Sequence, residues 1–274
     1  MAGQPGVTAA ASRPAQAAPV IILGYPHSGG QRLLSLLSDN TGLACTSGTG
    51  LLPLCSEAAA VWRLAEDRDA ESGQISALAA ASIRAMAGAM VTQILARVGR
   101  NRWCEFAMAS EEAAGTFLSL YPAARFVCLH RCFSDVARTA IQASPWGLDG
   151  PGYAPFLAAY PGSTLAAVAA WWAARTSNLL AFEQNHPREC LRIRYEDLTA
   201  DQPGTASAMA SFLGINGTGN QAGMDPGLLP VTGTTAEPAG SAPEPGVPVA
   251  LLPPALLAQL NDLLKRLGYP LLTS

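Results

Sequence analysis

The sequence predicts an α/β domain in three layers, a central parallel sheet with helices on both faces. Three observations predict it. An apolar run from Val20 to Leu23 breaks at Gly24 and Pro26 and gives way to Leu33, Leu34, Leu36 and Leu37 at helical spacing. The same order recurs at Arg125-Phe-Val-Cys-Leu129, followed by His130-Arg131 and by Ser134-Asp135, which suit the start of a helix carrying Val136 and Ile141. It recurs once more at Cys190-Leu-Arg-Ile-Arg-Tyr195, an alternating strand, after which Asp201 and Pro203 open a helix that stops at Gly214.

The remaining segments fit around these three units. Residues 1–19, rich in Ala, Gly, Pro and Gln, read as a disordered tail without the basic start and apolar core of an export signal, so one domain is expected over 20–274. Residues 39–60 read as irregular. Ile75, Ala79, Ile83, Met86, Met90, Ile94 and Val98 form a stripe at steps of three and four, predicting a long core-facing helix over 75–98. A helix is expected at 110–120, a Pro/Gly/aromatic loop at 144–163, and a helix at about 164–184 whose Trp171 and Trp172 belong to a core. Residues 216–250 are dominated by Gly, Pro, Thr and Ala and predict a long lid or connection. Leu256, Leu260, Leu263 and Leu267 then mark a last helix, closed by Gly268 and Pro270.

Composition narrows the chemistry. Of 274 residues 49% are apolar, enough for a substantial core, and the net charge of −3 with no dense basic block argues against nucleic acid or an anionic membrane as partner. No apolar run suggests a membrane span. Cysteines 45, 55, 104, 128, 132 and 190 form no CxxC pair, which points to neither a zinc site nor a disulfide framework and fits a reducing cytoplasm. There are sixteen arginines and one lysine, Lys265, far along the chain from the first turn. Schiff-base chemistry and an ordinary P-loop kinase both lack their lysine.

The first turn, Gly24 to Gly29, has the Gly-x-x-x-x-Gly outline of a phosphate loop, but Gly30 and Gln31 stand where a triphosphate loop has its lysine and hydroxyl. What survives is a helix N-terminus with unbonded amides, a positive macrodipole end and small residues, to which His27, Ser28 and Arg32 could add donors. Arg131, directly after a strand, belongs at the carboxyl edge of the sheet, where open α/β sheets bind ligands and where a guanidinium fork matches a phosphate.

"YPHSGGQRLL" resembles the 5′-phosphosulfate loop of the sulfotransferases that use 3′-phosphoadenosine 5′-phosphosulfate (PAPS), and "FVCLHRCFSDVART" is similar to their 3′-phosphate block, with Arg131 and Thr139 at the family's spacing. "LRIRYEDLTADQPGTASAMASFLGI" resembles their R-Y-E-D-L strand and following helix, and "LNDLLKRLGYP" is similar to the C-terminal stretch of bacterial members. The resemblance implies a P-loop-like sulfotransferase fold and a metal-free transfer of a sulfuryl group from PAPS to a hydroxyl or amine of a small-molecule acceptor, leaving the bisphosphate PAP. It implies that the amides of Ser28, Gly29 and Gly30, with Gln31, cradle the 5′ group while Arg131 and Thr139 hold the 3′-phosphate. A homodimer is compatible with it.

This sequence departs from the family pattern in three places. His27 stands for the family's basic residue, leaving Arg32 as the nearest permanent cation for the leaving group. Gly30 and Gln31 replace two threonines. No Lys or Arg occurs between Tyr195 and Leu264, so a lid there cannot close by charge. For the acceptor's base the expectation is Glu57, in the otherwise uncharged stretch Leu51 to Val61, with His27 and His130 as alternatives. Glu196 and Asp197 are expected to bond internally. Trp62 is read as core rather than an adenine platform, and Trp146 as lining the acceptor site. The reading is thus a PAPS-dependent sulfotransferase acting on a small, apolar or aromatic acceptor, such as a specialised metabolite. Its rivals are a sulfotransferase-fold protein that binds nucleotide or a sulfated intermediate without transfer, and an atypical P-loop kinase.

Overall fold

In the computed structural model the described residues are 18–66, 75–108, 110–143, 152–215 and 248–273. Five parallel strands form one sheet in the order β2-β3-β1-β4-β5: β1 (Val20–Leu23), β2 (Ala44–Ser47), β3 (Trp103–Ala107), β4 (Arg125–His130) and β5 (Cys190–Arg194). β1 is central, with Leu23 beside Ala107 of β3 on one side and Cys128 of β4 on the other. All four of its residues are buried, which is why it reads as an unbroken apolar run rather than an alternating one.

Alternation along the strands divides the core between the two sheet faces. Val20, Ile22, Val127 and Leu129 face α1 (Gly30–Thr41), α8 (Tyr195–Ala200) and α9 (Gln202–Leu213). Ile21, Leu23, Phe126 and Cys128 face α2 (Leu51–Ala65), α3 (Ala77–Val98), α4 (Glu111–Leu120) and one side of α7 (Thr164–Asn185). The other side of α7 joins α5 (Phe133–Ala143), α6 (Ala154–Ala159) and α10 (Pro254–Leu267) in a third cluster around the fully buried Trp171 and Trp172. Thus the connections after β1 and β3 leave toward opposite faces.

Several elements differ from the sequence reading. Residues 39–60 are not irregular: they hold β2 and most of α2. β2 is an edge strand bonded only to β3, so the short polar stretch Ala-Cys-Thr-Ser is held by pairing and by the Trp103 Nε1 donation to Thr46 Oγ1 at 2.8 Å, neither of which has a sequence signal. β3 escaped notice because Glu105 interrupts its apolar residues. This carboxyl is almost fully buried, accepts from the Thr49 amide at 3.1 Å and the Thr46 hydroxyl at 3.3 Å, and is pushed above its ordinary value by burial.

The stripe of α3 is rotated from the expected one. Ala79, Ile83, Ala87 and Val91 are buried, whereas Met86 is exposed. By length and composition alone α3 could cross a membrane, contrary to the expectation of no such segment, although here its stripe packs with α2 and α4. Ser134 and Asp135 lie inside the first turn of α5 rather than before it, and Tyr195 to Asp197 begin α8 rather than end β5. Within 144–163 a short helix, α6, forms. The segment 1–17 and most of the expected lid, 216–247, lie outside the described residues.

A buried ion network ties α7 to two strands. Glu183 accepts from His130 Nε2 at 2.6 Å through Oε1 and from Arg192 Nε at 2.6 Å through Oε2, with His130 completely buried. Burial alone would raise the Glu183 carboxyl, but the hydrogen bonds and charges of His130 and Arg192 outweigh it and hold the group below its ordinary 4.5. A depressed carboxylate contributes stability above its unfolded value and loses it as pH falls through the folded one. Glu183→Gln should therefore cost about 2 kcal/mol at neutral pH, or roughly 4–8 °C in Tm, with the gap to the parent closing in acid. Thermal melts at pH 7 and below 4.5 check this.

Candidate functional site

The turn between β1 and α1 is built by its own hydrogen bonds. Ser28 N donates to the Tyr25 carbonyl at 3.1 Å, and Tyr25 N donates to Ser28 Oγ at 3.3 Å, with Ser28 fully buried. Two residues then take left-handed backbone conformations, His27 at φ 66° and Gly29 at φ 91°. For a side chain such as His27 this costs on the order of 1–2 kcal/mol, so something must hold it. Gly29 caps α1 without a side-chain bond, and the first intrahelical bond is Leu33 N to Gly29 O. The amides of Gly30, Gln31 and Arg32 therefore have no acceptor within the helix and gather at its positive end.

What holds the turn is Arg131, at the end of the adjacent β4. Its Nη1 donates to the His27 carbonyl at 2.8 Å, and its guanidinium lies 4.3 Å from the centre of the Tyr195 ring. Tyr25 completes the brace: its hydroxyl donates to the Arg131 carbonyl at 3.2 Å and accepts from the Arg131 amide at 3.1 Å. Trp172 Nε1 donates to the same carbonyl. Burial pushes the Tyr25 phenol up to about 12, so it remains a protonated donor at any physiological pH.

Two aromatic rings explain the glycines. A Cβ on Gly29 would meet the Tyr195 ring at 2.1 Å, and one on Gly30 would meet the Phe106 ring at 2.4 Å. These rings clamp the turn from the start of α8 and from β3. Glu196, next to Tyr195, accepts from the Cys132 amide at 2.9 Å and the Tyr269 hydroxyl at 2.7 Å, and Arg194 pairs with Asp197 while donating to the Gly268 carbonyl. The internal bonding expected of Glu196 and Asp197 is what anchors this clamp to the C-terminal helix.

The other residues singled out by sequence separate clearly. Ser28, Gly29, Gly30, Gln31 and Arg32 come together at the turn, with Gln31 and Arg32 exposed and Gln31 Nε2 donating to Ser47 Oγ at 3.4 Å. Arg131 is beside them but only 7% exposed. Thr139 donates its hydroxyl to the Asp135 carbonyl one turn back on α5, at 2.7 Å. Glu57 is exposed in the middle of α2, and Trp62 packs on the core beneath α2. His130 is engaged with Glu183. Trp146 lies outside the described residues.

A cleft that the sequence reading missed opens on the face away from α1. It is lined by Gly24 and Tyr25 from the turn, Ser110 and Glu111 at the start of α4, and Arg175 and Asn178 on α7, and spans about 370 Å³ including its open mouth. Its position follows from topology: the chain leaves β1 and β3 toward opposite faces, which parts the two loops. Ser110 and Glu111 could have been found from the helix-cap pattern Ser-Glu-Glu-Ala, had β3 been recognised before it. Phe106 carried no signal beyond its aromatic character, and Tyr25 and Tyr195 stood only as members of quoted motifs without a role of their own.

Comparison with known proteins agrees with this geometry. The model of the sulfotransferase family matches residues 19–218, more than two thirds of the chain. No curated protein matches. Among solved structures, the sulfotransferase domain from the curacin biosynthetic pathway is similar at TM-score 0.58 and 16% identity, over 93% of this chain and 99% of that one. The sulfotransferase domain of the Synechococcus PCC 7002 olefin synthase is similar at TM-score 0.51 and 16% identity, over 95% and 99%. With the matched region running from the first strand through the turn, Arg131 and the Tyr195 clamp, this chain belongs to the sulfotransferase family.

Proposed function

We propose that the protein transfers a sulfuryl group from PAPS to a hydroxyl or amine of a small acceptor. One observation carries the reading: the amide-rich start of α1 and Arg131 are parts of a single rim, joined by the 2.8 Å bond from Arg131 to the His27 carbonyl. A nucleotide with two phosphate ends needs two adjacent anion sites, and no lysine. The expected cradle of Ser28, Gly29 and Gly30 amides shifts along the chain, because the Ser28 amide already donates to the Tyr25 carbonyl: the amides of Gly30, Gln31 and Arg32 suit the 5′ group, with Arg32 as the permanent cation at the leaving oxygen. Arg131 and Thr139 are the proposed 3′-phosphate contacts, and occupancy there requires the guanidinium to turn partly outward from the Tyr195 ring.

In the transfer an acceptor oxygen or nitrogen bonds to sulfur and the bond from sulfur to the 5′-phosphate oxygen breaks. Its electron pair leaves with the bisphosphate, and the acceptor proton passes to a carboxylate. Glu57 is the carboxylate named from sequence, and Glu111 is the one that lines the cleft beside the turn. The two solved structures named above are domains of biosynthetic systems, which supports an acceptor from specialised metabolism.

Adenosine 3′,5′-bisphosphate at a hundred times its Kd should stabilise the protein by about 2.7 kcal/mol, roughly 5–10 °C in Tm, whereas ATP with magnesium should not. Arg131→Ala should lose most of that rise, and no rise in the parent protein would remove the donor assignment. Gly29→Ala, which forces a Cβ both into φ 91° and onto the Tyr195 ring, should lower stability by about 2 kcal/mol or more and abolish the response. Transfer of labelled sulfate from PAPS to a phenol distinguishes the enzyme from a binding protein of the same fold. In that assay Glu57→Gln and Glu111→Gln identify the base by the larger loss of kcat, expected at about a hundredfold or more.

A further inference from the structure

We infer that the cleft between α4 and α7 is the acceptor subsite and that it takes acceptors bearing an anionic group, a carboxylate or phosphate, held by Arg175. The inference rests on the sulfuryl-transfer reading for the word acceptor, but its argument comes from the cleft itself.

Arg175 is half-buried on α7, lines the cleft and, among the described residues, has neither a carboxylate partner nor a hydrogen-bond acceptor. Arg192, Arg194 and Arg138 each sit against a carboxylate, and Arg131 and Arg102 donate to carbonyls, whereas Arg175 is the arginine that lines the cleft. A guanidinium that lines an open cleft without a protein acceptor can offer its fork to an anionic ligand.

Two unpartnered polar groups lie behind the guanidinium. The point where Gly152 would carry a Cβ lies 2.6 Å from Arg175 Nη2 and 3.8 Å from Trp171 Nε1. That indole nitrogen is completely buried and, among the described residues, has no partner; neither has the buried hydroxyl of neighbouring Tyr153. Gly152 itself, at φ 95°, carries no side chain, which lets the guanidinium lie against its backbone. Of these groups Arg175 is the one that lines the cleft, and its guanidinium is the cation an anion there would meet.

The opposite wall carries the opposite charge. Glu111, held by Asn185 Nδ2 at 3.2 Å, faces the same space from the first turn of α4, with Gly24 and Tyr25 of the turn between the two walls. An acceptor anchored at Arg175 by its anion therefore directs its neutral, nucleophilic end toward Glu111 and the phosphate turn. An acceptor with negative charge at both ends is rejected.

The test uses the full chain and ligand-observed saturation-transfer NMR, with 4-hydroxyphenylacetate and phenyl phosphate against 4-hydroxyphenylacetamide, each with and without adenosine 3′,5′-bisphosphate. The anionic members should bind about tenfold or more tightly than the amide. Arg175→Gln should erase the preference and Arg175→Lys should keep part of it. Asn178→Asp, an exposed change at the lip, should weaken the anions several-fold and leave the amide alone, and serves as the deciding variant if Arg175→Gln does not fold. Equal binding of amide and anions, a preference that survives in Arg175→Gln or is untouched by Asn178→Asp, or no binding of any probe overturns the assignment. A bisphosphate melting shift without anion preference removes the cleft assignment alone. Anion preference without a bisphosphate shift removes the donor reading alone.

Discussion

The structure around the rim depends on one brace, the Arg131 guanidinium holding the His27 carbonyl while the Tyr25 hydroxyl bonds both backbone groups of Arg131. His27 stands in a backbone conformation that costs free energy, and a strained residue persists only where its surroundings over-determine it. The arginine does so from a neighbouring strand, so the turn's shape depends on the pairing of β1 with β4. The Phe106 and Tyr195 rings then leave room only for hydrogen at Gly30 and Gly29. The amides at the start of α1 are preorganised by packing, before any anion arrives.

The same brace changes what Arg131 can be. As the proposed 3′-phosphate contact Arg131 is not an exposed fork but nearly buried, stacked on Tyr195 and bonded to a carbonyl. Its charge still reaches the rim, because field lines are screened less through protein than through water. In the proposed reading, donor binding and loop geometry are coupled through a single side chain. The Glu196 bonds to Cys132 and Tyr269 extend that coupling to α10, the last helix of the chain.

Topology supplies the second constraint. Because α1 and α4 cover opposite faces, the loops after β1 and β3 diverge and a crevice must open between them. The anion cradle lies on the α1 side and the charged cleft with Arg175 and Glu111 on the other, so two ligands can approach the turn from opposite directions. For a displacement at sulfur, which needs the entering and leaving atoms on opposite sides, that is the useful arrangement.

Much of this was legible along the chain, where the physics is local. The apolar run of β1, the leucine spacing of α1, the Asp201 cap with its bond to the Gly204 amide and the Gly-bearing turn each follow from neighbours in sequence, as does the exclusion of lysine chemistry. The tertiary structure decided the rest. β2 and β3 exist because pairing and a buried Glu105 with its two threonines outweigh weak local preference, and Arg131 is a brace because β4 happens to lie against β1. Arg175 stands out only where three elements meet, since the absence of an acceptor is a property of the surroundings and not of the residue. Sequence by itself determined which groups are available; the folded chain decided which of them meet, because hydrogen bonding and burial act through space between residues as far apart in the chain as Tyr25 and Arg131.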